Sequence, residues 1–418
     1  MFKPFISISA CLFSILSAQA TDVIMKDSVS MGAKYANDVY VDVDGGTQKE
    51  VSRTNWDIAF TTKIRGAAIM ANNGNGVEVM IYPKSKKDGF HTVDTTGCSK
   101  WPRLYNSETS AELGAFNVTT TDKSQMDYGW GVYNMTSHNV VGDSIFLIKT
   151  AAGMKKLVIL QKVSVENRIE FYYSNLDNSD STFVNLKAND YPNRNFVYYS
   201  VDNKQMIDRE MDADKWDLLF TKYTAYIPAG PGVFQWYPVI GVQLNSTTKA
   251  IYHHAANLNR DTYETFNNAD FSSNQNTLGW EWKVLDNNTY KYSVPDTNVY
   301  FIKTAANNVY KFYFTAYAGS STGKVSFERK KLITTALTDS KSKKLRVYPT
   351  PASSYLTVET EVGKVEVSLY SIKGTKVYET QENGGIFSVD VNNLTNGVYV
   401  LKLETATGTQ VKQITVNR

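Results

Sequence analysis

A five-residue segment, Trp56-Asp57-Ile58-Ala59-Phe60, returns later in the chain as Trp216-Asp217-Leu218-Leu219-Phe220. Strand side chains alternate between faces. The pattern therefore predicts a strand with Trp56, Ile58 and Phe60 on one core-facing side, and likewise Trp216, Leu218 and Phe220. A second pair follows in the same order: Ser144-Ile145-Phe146-Leu147-Ile148-Lys149-Thr150-Ala151-Ala152 parallels Asn298-Val299-Tyr300-Phe301-Ile302-Lys303-Thr304-Ala305-Ala306. Trp130 and Trp280 stand upstream of these, each after a glycine. Two motifs recurring in order at near-equal spacing indicate tandem homologous units. The polar run at 175–181 marks the boundary between them.

Each copy reads as antiparallel β. Ile145–Thr150 turns through Ala151-Ala152-Gly153 into Leu157–Val163, and Asn167 marks the turn before Ile169–Tyr173. In the second copy Tyr310, Phe312 and Phe314 alternate with Lys311, Tyr313 and Thr315. Short strands separated by Gly or Asn turns characterise an all-β domain. The 27 Tyr and 19 Phe suit pleated, half-buried surfaces. Residues 105–115 are the one place where a short helix is expected.

The 418 residues divide into a signal peptide (1–20), two repeats (21–178 and 179–332), a polar linker (333–344) and a C-terminal unit (345–418). Lys3, the apolar run from Phe5 to Leu16 and Ala18-Gln19-Ala20 form the leader and its cleavage site. Ile8-Ser9-Ala10-Cys11 offers an alternative, lipoprotein-type cleavage box. Later stretches fall short of the ~20 apolar residues that span a bilayer. Cleavage after Ala20 leaves Cys98 as the sole cysteine, so stability must come from packing. The net charge of +3, with signs interspersed, gives no nucleic-acid footprint. The C-terminal unit, with turns at Lys373-Gly374, Gly384-Gly385, Asn396-Gly397 and Thr407-Gly408, has the spacing of a small β-sandwich. The expected fold class is all-β: two tandem antiparallel domains and this sandwich.

Two resemblances follow from these motifs. Tyr348-Pro349-Thr350-Pro351-Ala352, Leu356-Thr357-Val358, Asn396-Gly397-Val398-Tyr399 and the terminal run from Lys412 resemble the type A sorting domain of the type IX secretion system. That implies engagement of the type IX machinery and export to the medium or the cell surface of a Bacteroidetes-type bacterium. The Trp-Asp strand, the Gly-Trp segment and the Lys-Thr-Ala-Ala hairpin of each repeat resemble the HmuY family of secreted haem-binding proteins. This implies a β fold and haem as a ligand, its iron held between His or Met side chains in an aromatic slot.

On that resemblance Met135 and His138, just after Trp130, are candidate haem ligands, and His91 is a third. Trp130, Tyr133 and Tyr105 are candidate pocket aromatics. Each has a plainer reading: a Met near a Trp fills packing gaps, His138 lies in a turn-like stretch, and His91 suits a solvent-facing position. No metal beyond haem iron is expected. The alternative to haem capture is a surface module binding a host or surface glycan or a protein, haem proteins included. Gly319-Ser320-Ser321-Thr322-Gly323 fits the nucleophile-elbow pattern, but joins two strands where the elbow needs a helix. No catalytic residue is assigned, and the chain reads as non-enzymatic.

Overall fold

The structure is a computed structural model that describes residues 23–120, 126–255, 259–332, 346–371, 375–405 and 408–417. The signal peptide at 1–20, the linker at 333–344 and the Lys373-Gly374 turn lie outside the described residues. The chain is all-β, and among the described residues its strand ladders are antiparallel, with one isolated parallel bridge between Ala352 and Val416. Two compact units divide near Leu332.

In the first unit the repeats exchange strands. Asn37–Val41, from repeat 1, pairs with the Trp216 strand Leu218–Gly230, in the register Val41↔Leu218, Tyr40↔Leu219 and Val39↔Phe220. Phe196–Ser200, from repeat 2, pairs with the Trp56 strand Ile58–Thr61, in the register Tyr199↔Ile58, Tyr198↔Ala59 and Val197↔Phe60. The outer strands cross over too. Ile24–Ser30 adds to the closing strand of repeat 2, Lys324–Leu332, and Thr182–Lys187 adds to the closing strand of repeat 1, Arg168–Asn175.

Packing follows the exchange. One core buries Ile58, Phe60, Trp130, Phe146 and Phe171 with Val197, Tyr199 and Val201 of the other repeat. The second buries Leu218, Phe220, Trp282, Phe312 and Phe327 with Val29, Val39, Val41 and Val43. The stacked pair Phe60–Phe171, 5.0 Å between centroids, has its counterpart in Phe220–Phe327 at 5.6 Å.

The recurring motifs hold the exchanged strands. Asp57 Oδ2 accepts the backbone N–H of Val201 at 2.7 Å, and Asp217 Oδ2 accepts that of Val43 at 2.9 Å. One residue on, Thr150 Oγ1 donates to Asp202 at 2.5 Å and Thr304 Oγ1 donates to Asp44 at 2.7 Å. A buried N–H without a partner costs ~1–3 kcal/mol, so both motifs meet a need set by the exchange. They also move the indoles. The strands begin at Ile58 and Leu218, and turning Asp57 and Asp217 onto the neighbouring repeat takes Trp56 and Trp216 off the stripe of Ile58/Phe60 and Leu218/Phe220. Both indoles lie outside the two cores, which corrects the one-face expectation.

The helix expected at 105–115 is absent; those residues form bends and turns. Asparagines satisfy the local backbone instead. Asn106 Oδ1 accepts Ala71 N and Ala115 N, and Asn117 Oδ1 accepts Ile69 N and Gly114 N. Such side-chain bonds compete with helix formation.

The two Trp-Asp hairpins differ in length. In repeat 1, Ile58 pairs with Ala71. In repeat 2, Leu218 pairs with Leu244, and the ribbon runs out to Gly230 and Val233. No charged residue occurs between Lys222 and Lys249, and Tyr226, Phe234, Trp236 and Tyr237 are 40–52% exposed.

The second unit, by itself, is a five-stranded sheet. Arg346–Tyr348, Tyr355–Ser371, Gly397–Thr405 and Gly408–Val416 are neighbours in that order, with Lys376–Asp390 also on Tyr355–Ser371. Register shifts between Glu359 and Val365 bend the long strands. Leu356, Val358, Val367, Leu369, Leu401, Leu403 and Ile414 fill its core.

The latches carry a pH signature. Burial pushes the Asp217 carboxyl up to about 6, against the pull of Val43 N and the Thr248 hydroxyl. The folded state then holds more protons than the unfolded chain between about pH 4 and 6, so this group's contribution to stability falls as pH rises through that window. We expect wild type to lose on the order of 2 kcal/mol more than Asp217→Asn over this range. Urea midpoints at stepped pH check this, and parallel profiles would contradict it.

Candidate functional site

Where the exchanged strands meet, their tyrosines face one another: Tyr40 and Tyr198 occupy equivalent registers, with hydroxyls 3.3 Å apart. Each ring meets a displaced indole edge-on, Tyr198 with Trp56 at 4.9 Å and Tyr40 with Trp216 at 5.0 Å. Burial pushes both phenols well above their ordinary range, so they stay neutral. The two indoles line a cavity of about 850 Å³ between the repeats. Ligand sites commonly fall within roughly 300–1,000 Å³.

Its charged wall is Asp38, Arg209 and Glu210, each at least 95% buried. Arg209 Nη2 donates to Asp38 Oδ2 at 2.7 Å and to the Ser52 carbonyl at 3.0 Å. Its guanidinium lies over the Tyr198 ring at 4.9 Å and the Trp56 ring at 5.7 Å. Thr221 Oγ1 donates to Asp38 Oδ1 at 2.8 Å. Glu210 accepts from Tyr198 Oη at 2.7 Å and from the backbone N–H groups of Asn195 and Phe196. Burial pushes the Glu210 carboxyl up.

The repeats are unequal at this wall. Asp38 immediately precedes Val39 as Phe196 precedes Val197. Val51 stands opposite Asp38. Tyr198 stands opposite Ile207, the last pair of its ladder, and the same register counted two residues past that end sets Arg209 against Phe196. The ion pair Asp38–Arg209 thus occupies positions that are Phe196 and Val51 in the other half. Three buried donors at this cavity have no hydrogen-bond partner: Arg209 Nε, Trp56 Nε1 and Trp216 Nε1.

The six residues singled out from the sequence lie elsewhere, and none lines the cavity. Met135 is 72% exposed. His138 is exposed in a left-handed turn, φ 57°, with Nδ1 2.7 Å from Tyr133 Oη. His91 is also exposed, its Nδ1 3.2 Å from Asn178 Oδ1. Trp130 is fully buried in the first core and donates from Nε1 to the Ala67 carbonyl at 2.9 Å. Tyr105 stacks on Trp236 of the repeat-2 ribbon at 4.5 Å. Tyr133 and His138 are therefore the one directly bonded pair of the set. Met70 does line the cavity. Among the described residues, no group of three or more His, Cys, Asp and Glu is arranged to hold a metal ion.

Sequence reasoning missed Asp38, Arg209 and Glu210. For Asp38 and Arg209 the signal was the mismatch between copies, charged in one and apolar in the other, which emerges only once the exchanged strands are aligned.

Residues 346–417 match the family model of the secretion system C-terminal sorting domain. The chain carries this type IX export signal and is a secreted or cell-surface protein of a Bacteroidetes-type bacterium. No curated protein matches the chain. Among solved structures, apo PinO from Porphyromonas gingivitis is similar at 9% identity, over 75% of this chain and 98% of its own, with a TM-score of 0.28. PorZ, an essential surface component of the type IX secretion system of Porphyromonas gingivalis, is similar at 12% identity over 68% of this chain and 44% of its own, TM-score 0.17. Dimeric latent PorU from Porphyromonas gingivalis follows at 8% identity over 94% and 34%, TM-score 0.14.

One wall of the cavity depends on a close backbone approach. A Cβ on Gly74 would sit 1.9 Å from the Lys222 carbonyl oxygen of the other repeat, whereas one on Gly230 would meet nothing within 4 Å. Gly74→Ala is expected to destabilise the first unit by about 1–3 kcal/mol, and Gly230→Ala by less than about 0.5 kcal/mol. Chemical denaturation of the two variants checks the contrast, and equal midpoints would contradict it.

Proposed function

We propose that this chain is a secreted or cell-surface, non-enzymatic binding protein of the HmuY-like kind, and that it takes a small organic ligand in the cavity between its repeats. The observation that carries this reading is Arg209: almost wholly buried, lining the cavity and left with an unpaired Nε, as the indole N–H groups of Trp56 and Trp216 on the same lining are also unpaired. Unpaired buried donors are rare in folded proteins and call for a reason, and a ligand's acceptors supply one. The motifs that recur in both repeats support the same reading from the other side. Their Asp and Thr side chains hold the exchanged strands, while their tryptophans line the cavity beside the non-repeated Asp38 and Arg209.

Haem capture is the second reading. It is favoured by the HmuY-like motifs and by Met70, a thioether on the cavity wall. Haem iron takes His, Met, Cys or Tyr as axial ligands. In this reading Met70 replaces Met135, His138 and His91 as the residue to examine, because those three do not line the cavity.

Leu219 is half-buried on the cavity wall, and Leu219→Trp would put a bulky ring into the space beside the indoles. In a thermal-shift screen of haemin and small metabolites, compounds that raise the melting temperature of wild type are expected to lose that effect in Leu219→Trp. Haemin binding with a Soret shift abolished by Met70→Ala would select the haem reading. Stabilisation that survives in Leu219→Trp would refute the cavity as the site.

A further inference from the structure

Resting on the reading of the cavity as a ligand site, we infer that its ligand is a neutral, hydroxyl-rich ring, a sugar unit, oriented by the Asp38–Arg209 pair against the two indoles. A buried ion pair is weak evidence for stability, because apolar residues of similar size often serve as well or better. Here the chain makes that substitution itself: Asp38 stands where the other half has Phe196, and Arg209, by register counted from Ile207, where it has Val51. The charged pair on one side of the cavity therefore calls for an explanation in what the cavity holds.

The wall's unmet needs define the partner. On one side are N–H donors without acceptors, Arg209 Nε and the indole nitrogens of Trp56 and Trp216. Beside them are two carboxylates, Asp38 and Glu210, with lone pairs beyond the bonds they already accept. A hydroxyl both donates and accepts, so a ligand carrying several answers both sets at once. An anion would meet two carboxylates and one guanidinium. A cation would meet Arg209, which already lies over the rings of Trp56 and Tyr198. Four basic and four acidic side chains line the cavity as a whole, giving it no net sign. An indole presents an apolar surface with a polar handle, which matches a sugar ring with apolar C–H faces and hydroxyls at its edge.

The test uses the mature chain and intrinsic tryptophan fluorescence, since Trp56 and Trp216 both line the site. The probes are lactose, maltose and N,N′-diacetylchitobiose, with glucuronic acid as the charged comparison. At least one neutral saccharide is expected to shift the emission and raise the melting temperature, and glucuronic acid is not. The decisive variant is Asp38→Phe combined with Arg209→Val, which copies the chain's own apolar pair. It should keep the wild-type melting temperature and weaken saccharide binding by about tenfold or more. Arg209→Lys, which keeps the charge and loses the fork, should weaken it as well. Three outcomes overturn the inference: no neutral saccharide binds wild type, glucuronic acid binds equally well, or the double variant binds like wild type. If the saccharides fail while another compound still gives a shift that Leu219→Trp removes, the ligand class is wrong and the cavity site stands.

Discussion

The backbone N–H groups of Val43 and Val201 leave their strands inside the protein, away from water. Each is met by a carboxylate from the opposite repeat, Asp217 and Asp57. This cross-repeat bond explains more of the molecule than any apolar contact. It fixes where each exchanged strand ends. It sets the register in which Tyr40 and Tyr198 come face to face, and it takes each tryptophan out of the stripe it would otherwise join. Thr150 and Thr304 act one residue further on, through Asp202 and Asp44. Two motifs far apart in sequence thus serve one end of one strand.

The cavity is a consequence of that arrangement. Two sheets that share strands by exchange bring like elements together across an approximate two-fold, and the space between their indoles belongs to neither repeat alone. Duplication then permits what a symmetric pair could not: one half can change without the other. Asp38 and Arg209 stand where the partner half keeps Phe196 and Val51. The ribbon from Leu218 to Leu244 extends far beyond its counterpart from Ile58 to Ala71, and its Trp236 reaches Tyr105 of the first repeat. Shared indoles frame the site, and unshared charges make its two sides differ.

Much of the fold was legible in the sequence. The repeated Trp-Asp and Lys-Thr-Ala-Ala segments announced the duplication, the alternation of Tyr310, Phe312 and Phe314 announced strands, and the Tyr348–Ala352 and Asn396–Tyr399 segments announced the sorting domain. The exchange was not legible, because a strand's pattern is the same whether it pairs within its own repeat or across to the next. The face of Trp56 was misjudged for a related reason: period-two alternation holds only inside a strand, and Asp57 interrupts it. The helix expected at 105–115 failed because Asn106 and Asn117 offered the backbone other partners. The site residues stayed hidden because Asp38 and Arg209 lie 171 residues apart, more than a whole repeat.

The two repeats are held together by the strands they exchange, and severing the chain between them tests this most directly. A protease site placed in the exposed turn at 177–180 of a chain containing residues 23–332 would cut between the repeats. The cut protein should elute as a single particle of undiminished size and separate only in denaturant. Two folded fragments that part in native buffer would contradict the exchange, and with it the shared cavity.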